Sequence, residues 1–124
     1  MNPSRIELRI PVGSIGPALA RAAVPTVVPP LPAATMADLQ LLVSELVSDA
    51  IERSGARAIE DIRVCVTTAD GTVRVELSAP SGLPRPTADG WGRLLLDRLA
   101  ARWGYDDQPG GARIWFEMRR DGSR

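Results

Sequence analysis

The chain has 124 residues with fifteen arginines, fifteen acidic residues, no lysine and no histidine, enough for a single core and too few for two. Charge cancels and no segment gathers basic residues into a stripe, which argues against nucleic acid as a partner. Without histidine and lysine there is no Ser-His or Cys-His pair, no phosphate-binding Walker lysine and no Schiff base, so any catalysis must rest on carboxylates.

Residues 5–10, Arg5-Ile6-Glu7-Leu8-Arg9-Ile10, alternate polar and apolar and predict a half-buried strand closed by Pro11. A short helix is expected over Ser14–Val24, with Gly16 and Pro17 at its start. The prolines from Pro25 to Pro32 predict an extended connector, either ordered against the body or disordered. Thr35 is placed to cap the next helix, with Asp38 three residues on and Gly55 as its left-handed stop, giving a span of about 36–54. Met36, Leu39, Leu42, Val43, Leu46, Ala50 and Ile51 form its apolar face, spaced for burial against a sheet, and Glu45, Asp49 and Glu52 a stripe beside it.

Ile62, Val64 and Val66, the Asp70-Gly71 turn, and Val73, Val75 and Leu77 make the clearest hairpin. Residues 79–92 read as a loop, followed by an amphipathic helix from Arg93 to Trp103 stopped by Gly104. A turn over Asp106–Gly111 leads into a last strand containing Ile114, Phe116 and Met118. The order β, α, α, β, β, α, β lacks regular βαβ alternation. It predicts an α+β, two-layer α/β sandwich with a mostly antiparallel sheet and helices on one face. Arg5, Glu7, Arg63, Arg74, Glu76, Arg113 and Glu117 then lie on the solvent face as cross-strand charge pairs. Trp103 and Trp115 are expected to pack sheet against helix, strand parity offering Trp115 the open face as the alternative. Cys65, the only cysteine, reads as a core or half-buried thiol. No apolar run reaches the roughly 20 residues of a membrane span, and the charged first residues do not resemble a signal peptide, so a cytoplasmic location is expected.

Three segments resemble the GHKL, or Bergerat-fold, ATPase superfamily, and within it the actinobacterial anti-sigma-factor serine kinases. They are Leu42-Val43-Ser44-Glu45-Leu46-Val47-Ser48-Asp49-Ala50, Leu77-Ser78-Ala79-Pro80-Ser81-Gly82, and Gly90-Trp91-Gly92-Arg93 running on to Arg102-Trp103-Gly104. The resemblance covers residues 39–118. It implies one histidine-kinase-like ATPase domain over 1–124, with the strand, helix and connector in 1–35, the motif-bearing core in 36–118 and a tail in 119–124.

The resemblance also implies roles residue by residue. Glu45 matches the carboxylate that acts as general base toward a hydroxyl attacking ATP. Asp49 stands where the family places an asparagine that holds Mg²⁺. A carboxylate can ligate Mg²⁺, and its alternative is a salt bridge to Arg53 one turn on. Ala79 replaces the aspartate that accepts a hydrogen bond from adenine. Gly82, Gly90 and Gly92 match glycines that admit phosphates to a helix N-terminus, and they read equally as loop turn and helix entry. Trp91 and Arg93 are expected to fill part of that cradle. The implied function is a regulatory protein-binding module of the anti-sigma, partner-switching type, with a degenerate ATP site and a role in transcription regulation. Its partners would be a sigma factor, an STAS-type anti-anti-sigma protein or a second copy. The alternative is an active Mg²⁺/ATP-dependent serine kinase.

Overall fold

The computed structural model describes residues 4–11, 13–54, 61–80, 82–107 and 111–123. Eight elements follow in order: β1 (Ser4–Ile10), α1 (Gly16–Val27), α2 (Ala33–Ser54), β2 (Ile62–Ala69), β3 (Thr72–Ser78), α3 (Trp91–Leu99), β4 (Arg102–Asp106) and β5 (Arg113–Arg119). The strands form one sheet in the order β1-β2-β3-β5-β4, and all four ladders are antiparallel. The expected two-layer α+β architecture is therefore present, without any parallel pair among the described strands.

The period-two patterns set the two faces. Val64, Val66, Val73, Val75, Leu77, Ile114 and Phe116 point inward and meet Leu39, Leu42, Val43, Leu46 and Val47 of α2 in one buried cluster. The opposite face carries the arginines and glutamates, paired across strands: Arg74 with Glu117 at 3.0 Å, Arg113 with Glu76 at 3.1 Å, and Arg102 with Glu117 at 3.0 Å. The Glu117 carboxyl lies below its ordinary value, first because Arg102 donates to it and then because Arg74 does, against an opposing effect of burial. Cys65 is buried in β2 among Glu7, Glu76 and Arg5, and burial pushes its thiol up, away from thiolate chemistry.

Trp115 takes the open face. A Cβ added to Gly104, its partner on β4, would come within 2.7–2.8 Å of three indole atoms, so the ring lies across a space that only glycine leaves. The Arg74 guanidinium stands over the same ring, 4.2 Å from its centroid. Trp103 faces the helices as expected. Its indole nitrogen donates to Asp97 at 2.9 Å, and Arg93 stacks on it.

Three sequence expectations are corrected. The helix expected to end at Val24 continues through Pro25 to Val27. A proline inside a helix leaves the carbonyl four residues earlier without its donor, and here Gln40 Nε2 donates to that carbonyl, Arg21 O, at 3.0 Å. The extended connector shrinks accordingly to residues 28–32. The second helix starts at Ala33, ahead of the expected Thr35 cap, because the Pro32 carbonyl accepts from Met36 N–H at 2.9 Å. Thr35 is buried inside it, and the Gly55 stop lies outside the described residues.

The helix expected to reach Trp103 ends at Leu99, and Arg102–Asp106 forms a fifth strand. Trp103 and Tyr105 alternate with Arg102, Gly104 and Asp106 and pair with Phe116 and Ile114 of β5, a ladder that outweighs four further helical residues. No helix among the described residues is long and apolar enough to cross a membrane.

Candidate functional site

The motif residues lie on the second half of α2, around Ala79 and Gly82, and at the first turn of α3; α2 approaches α3 through Leu46 beside Gly92 and the Ala79–Gly90 connection through Arg53. The α2 stripe runs Glu45, Asp49, Arg53, one residue per turn, so their side chains follow each other along one side of the helix. Glu45 is half-buried and has no ion-pair or hydrogen-bond partner among the described residues. The next residue, Leu46, touches the start of α3, since a Cβ at Gly92 would meet Leu46 Cδ2 at 3.5 Å. That is an ordinary contact, so packing alone does not demand glycine at 92.

Asp49 is committed to Arg53. Their Oδ2 and Nη1 atoms are 3.2 Å apart, and both side chains are 30 % exposed. The same Nη1 also donates to the Arg85 carbonyl at 2.6 Å. Sequence spacing offers the Asp49–Arg53 pair, but the second bond joins residues 32 apart and has no local signal. Arg85 in turn lays its guanidinium over Tyr105 of β4, 4.7 Å from the ring centroid, and the Tyr105 hydroxyl donates to Leu83 O at 2.8 Å. Leu83 N–H donates to Ala112 O at 3.1 Å. The segment following Ala79 is thus fixed to α2 on one side and to β4 and β5 on the other.

Ala79 is partly buried and packs against the core cluster. Its carbonyl accepts from Gly82 N–H at 2.8 Å, closing a tight turn. Gly82 has φ +86°, a left-handed conformation that disfavours any side chain, and a Cβ there would come within 3.0 Å of Ala112 N. Gly90 is the N-cap of α3. Its N–H is taken by Thr87 O at 3.0 Å, and a Cβ would collide with Thr87 Oγ1. Gly82 and Gly90 therefore have structural reasons of their own, independent of any phosphate.

Trp91 and Arg93 both line the surface at the start of α3. Trp91 is 57 % exposed. Arg93 leans toward the helix C-terminus, where its Nε is 3.2 Å from Asp97 Oδ2. Ala88, Asp89, Gly90, Trp91, Arg93, Leu94 and Asp97 line a shallow surface groove of about 370 Å³ there. Asp89, one residue before the N-cap, places a carboxylate without an ion-pair partner among the described residues at the helix entrance. Sequence reading passed over Asp89 and Arg85 because both sit in an irregular segment with no periodic pattern. Among the described residues there is no group of three His, Cys, Asp or Glu side chains able to enclose a metal ion.

No family model matches the chain, and no curated protein matches it in sequence. Solved structures do match. One is the crystal structure of the RsbU and RsbW domains of Rv1364c from Mycobacterium tuberculosis, with a TM-score of 0.72 at 19 % identity over 96 % of this chain. The present chain spans about a third of that protein's length, 33 %. The likeness establishes the fold as one shared with a part of that structure.

Proposed function

We propose that the chain is a regulatory protein-binding module of the anti-sigma-factor, partner-switching type in which nucleotide use is weak or lost. One observation carries the reading: the Asp49 carboxylate, the candidate Mg²⁺ ligand, is already paired with Arg53, which also bonds the Arg85 carbonyl. A metal there would have to compete with the Arg53 guanidinium for the carboxylate. Two further features support it. Ala79 offers a methyl group, packed against the core, where an adenine-recognising acceptor is expected. Asp89 brings a negative charge to the start of α3, where a phosphate would need the opposite. These features support weak or lost use of Mg²⁺ and ATP.

For partner docking, Trp91 and Leu94 stand exposed one turn apart on α3, at 57 % and 40 %, and aromatic side chains of this kind anchor protein interfaces. A sigma factor or an STAS-type protein is the partner class in keeping with the shared fold. The competing reading, a Mg²⁺/ATP-dependent serine kinase, is favoured by Glu45, whose half-buried carboxylate has no partner among the described residues and could serve as base.

Isothermal titration with ATP and ADP, with and without Mg²⁺, separates the two. No saturable binding below about millimolar concentration is expected, since one missing hydrogen bond to a charged acceptor weakens binding about 10- to 150-fold. Mg²⁺-dependent micromolar binding overturns the reading. The double variant Ala79→Asp with Asp49→Asn is expected to regain affinity if the rest of the cradle is intact.

A further inference from the structure

The bond from Arg53 to the Arg85 carbonyl joins two parts of the chain that share no secondary structure. On its α2 side, Arg53 is oriented by the Asp49 carboxylate at 3.2 Å, so its guanidinium is held where Nη1 reaches Arg85 O at 2.6 Å. On the far side of the segment, the Arg85 side chain turns the other way, onto Tyr105. One residue, Arg85, is therefore gripped through its carbonyl by a helix and through its side chain by a strand. The flanking Pro84 and Pro86 have no N–H to add a ladder bond, and the neighbouring backbone bonds, Leu83 N–H to Ala112 O and Gly90 N–H to Thr87 O, lie at the ends of the segment. In its middle, Arg53 is the side chain that ties the segment to α2.

We infer that Arg53 is a latch: with Asp49 as its anchor, it holds residues 83–90 down on α2 without a ligand, making the closed arrangement the resting state. The inference rests on the reading above that Asp49 serves Arg53 instead of a metal. It adds that any partner or ligand gaining access beneath this segment must first release the guanidinium. Asp49 is a positioning residue in this scheme, since it acts only by aiming Arg53. Both side chains keep partial contact with water, so the latch is weak enough to open in local fluctuations.

Residue-resolved hydrogen exchange by NMR on the full chain, nucleotide-free, tests it. In Arg53→Met, which keeps the apolar stem, the hydrogen-bonded amides of Leu83 and Gly90 are expected to exchange about tenfold faster, with β2 and β3 amides unchanged. Asp49→Asn is expected to accelerate the same two amides by a smaller factor, about two- to threefold, because Arg53 keeps its carbonyl bond but loses its aim. Unchanged exchange at Leu83 and Gly90 in Arg53→Met overturns the latch. Should Arg53→Met accelerate exchange everywhere, as a general loss of stability would, Asp49→Asn decides: acceleration confined to the two amides supports the latch, and none overturns it. The outcome is separate from nucleotide titration, since exchange is read without nucleotide: tight ATP binding by the wild type would remove the proposed function while leaving a measured latch in place.

Discussion

Gly104→Ala tests the packing of the open face at its tightest point. The added Cβ would lie 2.7 Å from Trp115 Nε1 and 2.8 Å from Cε2 and Cζ2, where ordinary contact begins at 3.4 Å. The indole must therefore retreat by about 0.7 Å, and it can do so only by moving within the pairing of β4 with β5 or against Arg74, whose guanidinium carbon is 4.2 Å from the ring centroid. Overpacking of this kind costs about 1–3 kcal/mol, and disturbing the cation–π contact adds about 0.5–1 kcal/mol. A domain of this size has about 5–15 kcal/mol to lose, so the variant stays folded. Denaturant unfolding followed by tryptophan fluorescence is expected to show a lower midpoint with an unchanged slope. The control is the cycle with Trp115→Ala, in which Gly104→Ala should cost little because no ring remains to be displaced. Equal stability of Gly104→Ala and the wild type, within about 0.3 kcal/mol, would mean that the indole does not rest on Gly104 and that the arrangement of Arg74, Trp115 and Arg102 is not as described.

Glu117 gives a pH prediction. Its carboxyl is lowered in the folded chain by Arg102 and Arg74, so the unfolded chain takes up the proton first. Its contribution is complete above the ordinary value of 4.5 and disappears as pH falls below it through the depressed folded value. Wild type minus Glu117→Gln unfolding free energy, measured from pH 7 to pH 3, should shrink toward acid. A difference independent of pH would contradict the assigned pairing. Pro25→Ala is expected to stabilise α1, since the restored N–H can bond Arg21 O, and to reduce the effect of Gln40→Ala, which in the wild type removes that carbonyl's donor at a cost of about 0.5–1.5 kcal/mol. Additive effects in the double variant would show that Gln40 does not serve the proline gap.

The strands with strict alternation were legible in the sequence because period two leaves each side chain only one face. Val64, Val66, Val73, Val75 and Leu77 could hardly be placed elsewhere, and their partners on α2 follow from spacings of three and four. Where local signals misled, a distant residue had intervened. Pro25 reads as a breaker until Gln40, fifteen positions on, supplies the missing donor. Arg102-Trp103-Gly104-Tyr105-Asp106 does alternate, but Leu94 to Leu99 in front of it is a strong helical pattern, and only the ladder with β5 fixes where the helix stops. In the candidate site, the Asp49–Arg53 pair was visible as an i, i+4 spacing. The Arg53–Arg85 bond, the Arg85–Tyr105 stack and the placement of Asp89 depend on the path of an irregular segment, which composition does not specify.

The placement of β1 beside β2 has a kinetic consequence. Ile10 pairs with Ile62, so the first ladder closes around the whole α1–α2 hairpin, a loop of about 50 residues, whereas β2 and β3 meet across Asp70-Gly71. Closing the long loop costs about 2.5 kcal/mol more chain entropy than closing the short turn. The difference favours formation of the β2–β3 hairpin before the β1–β2 ladder. β1 is thus an edge strand tied to the sheet through a long loop, and its removal would leave the edge of β2 open to another chain.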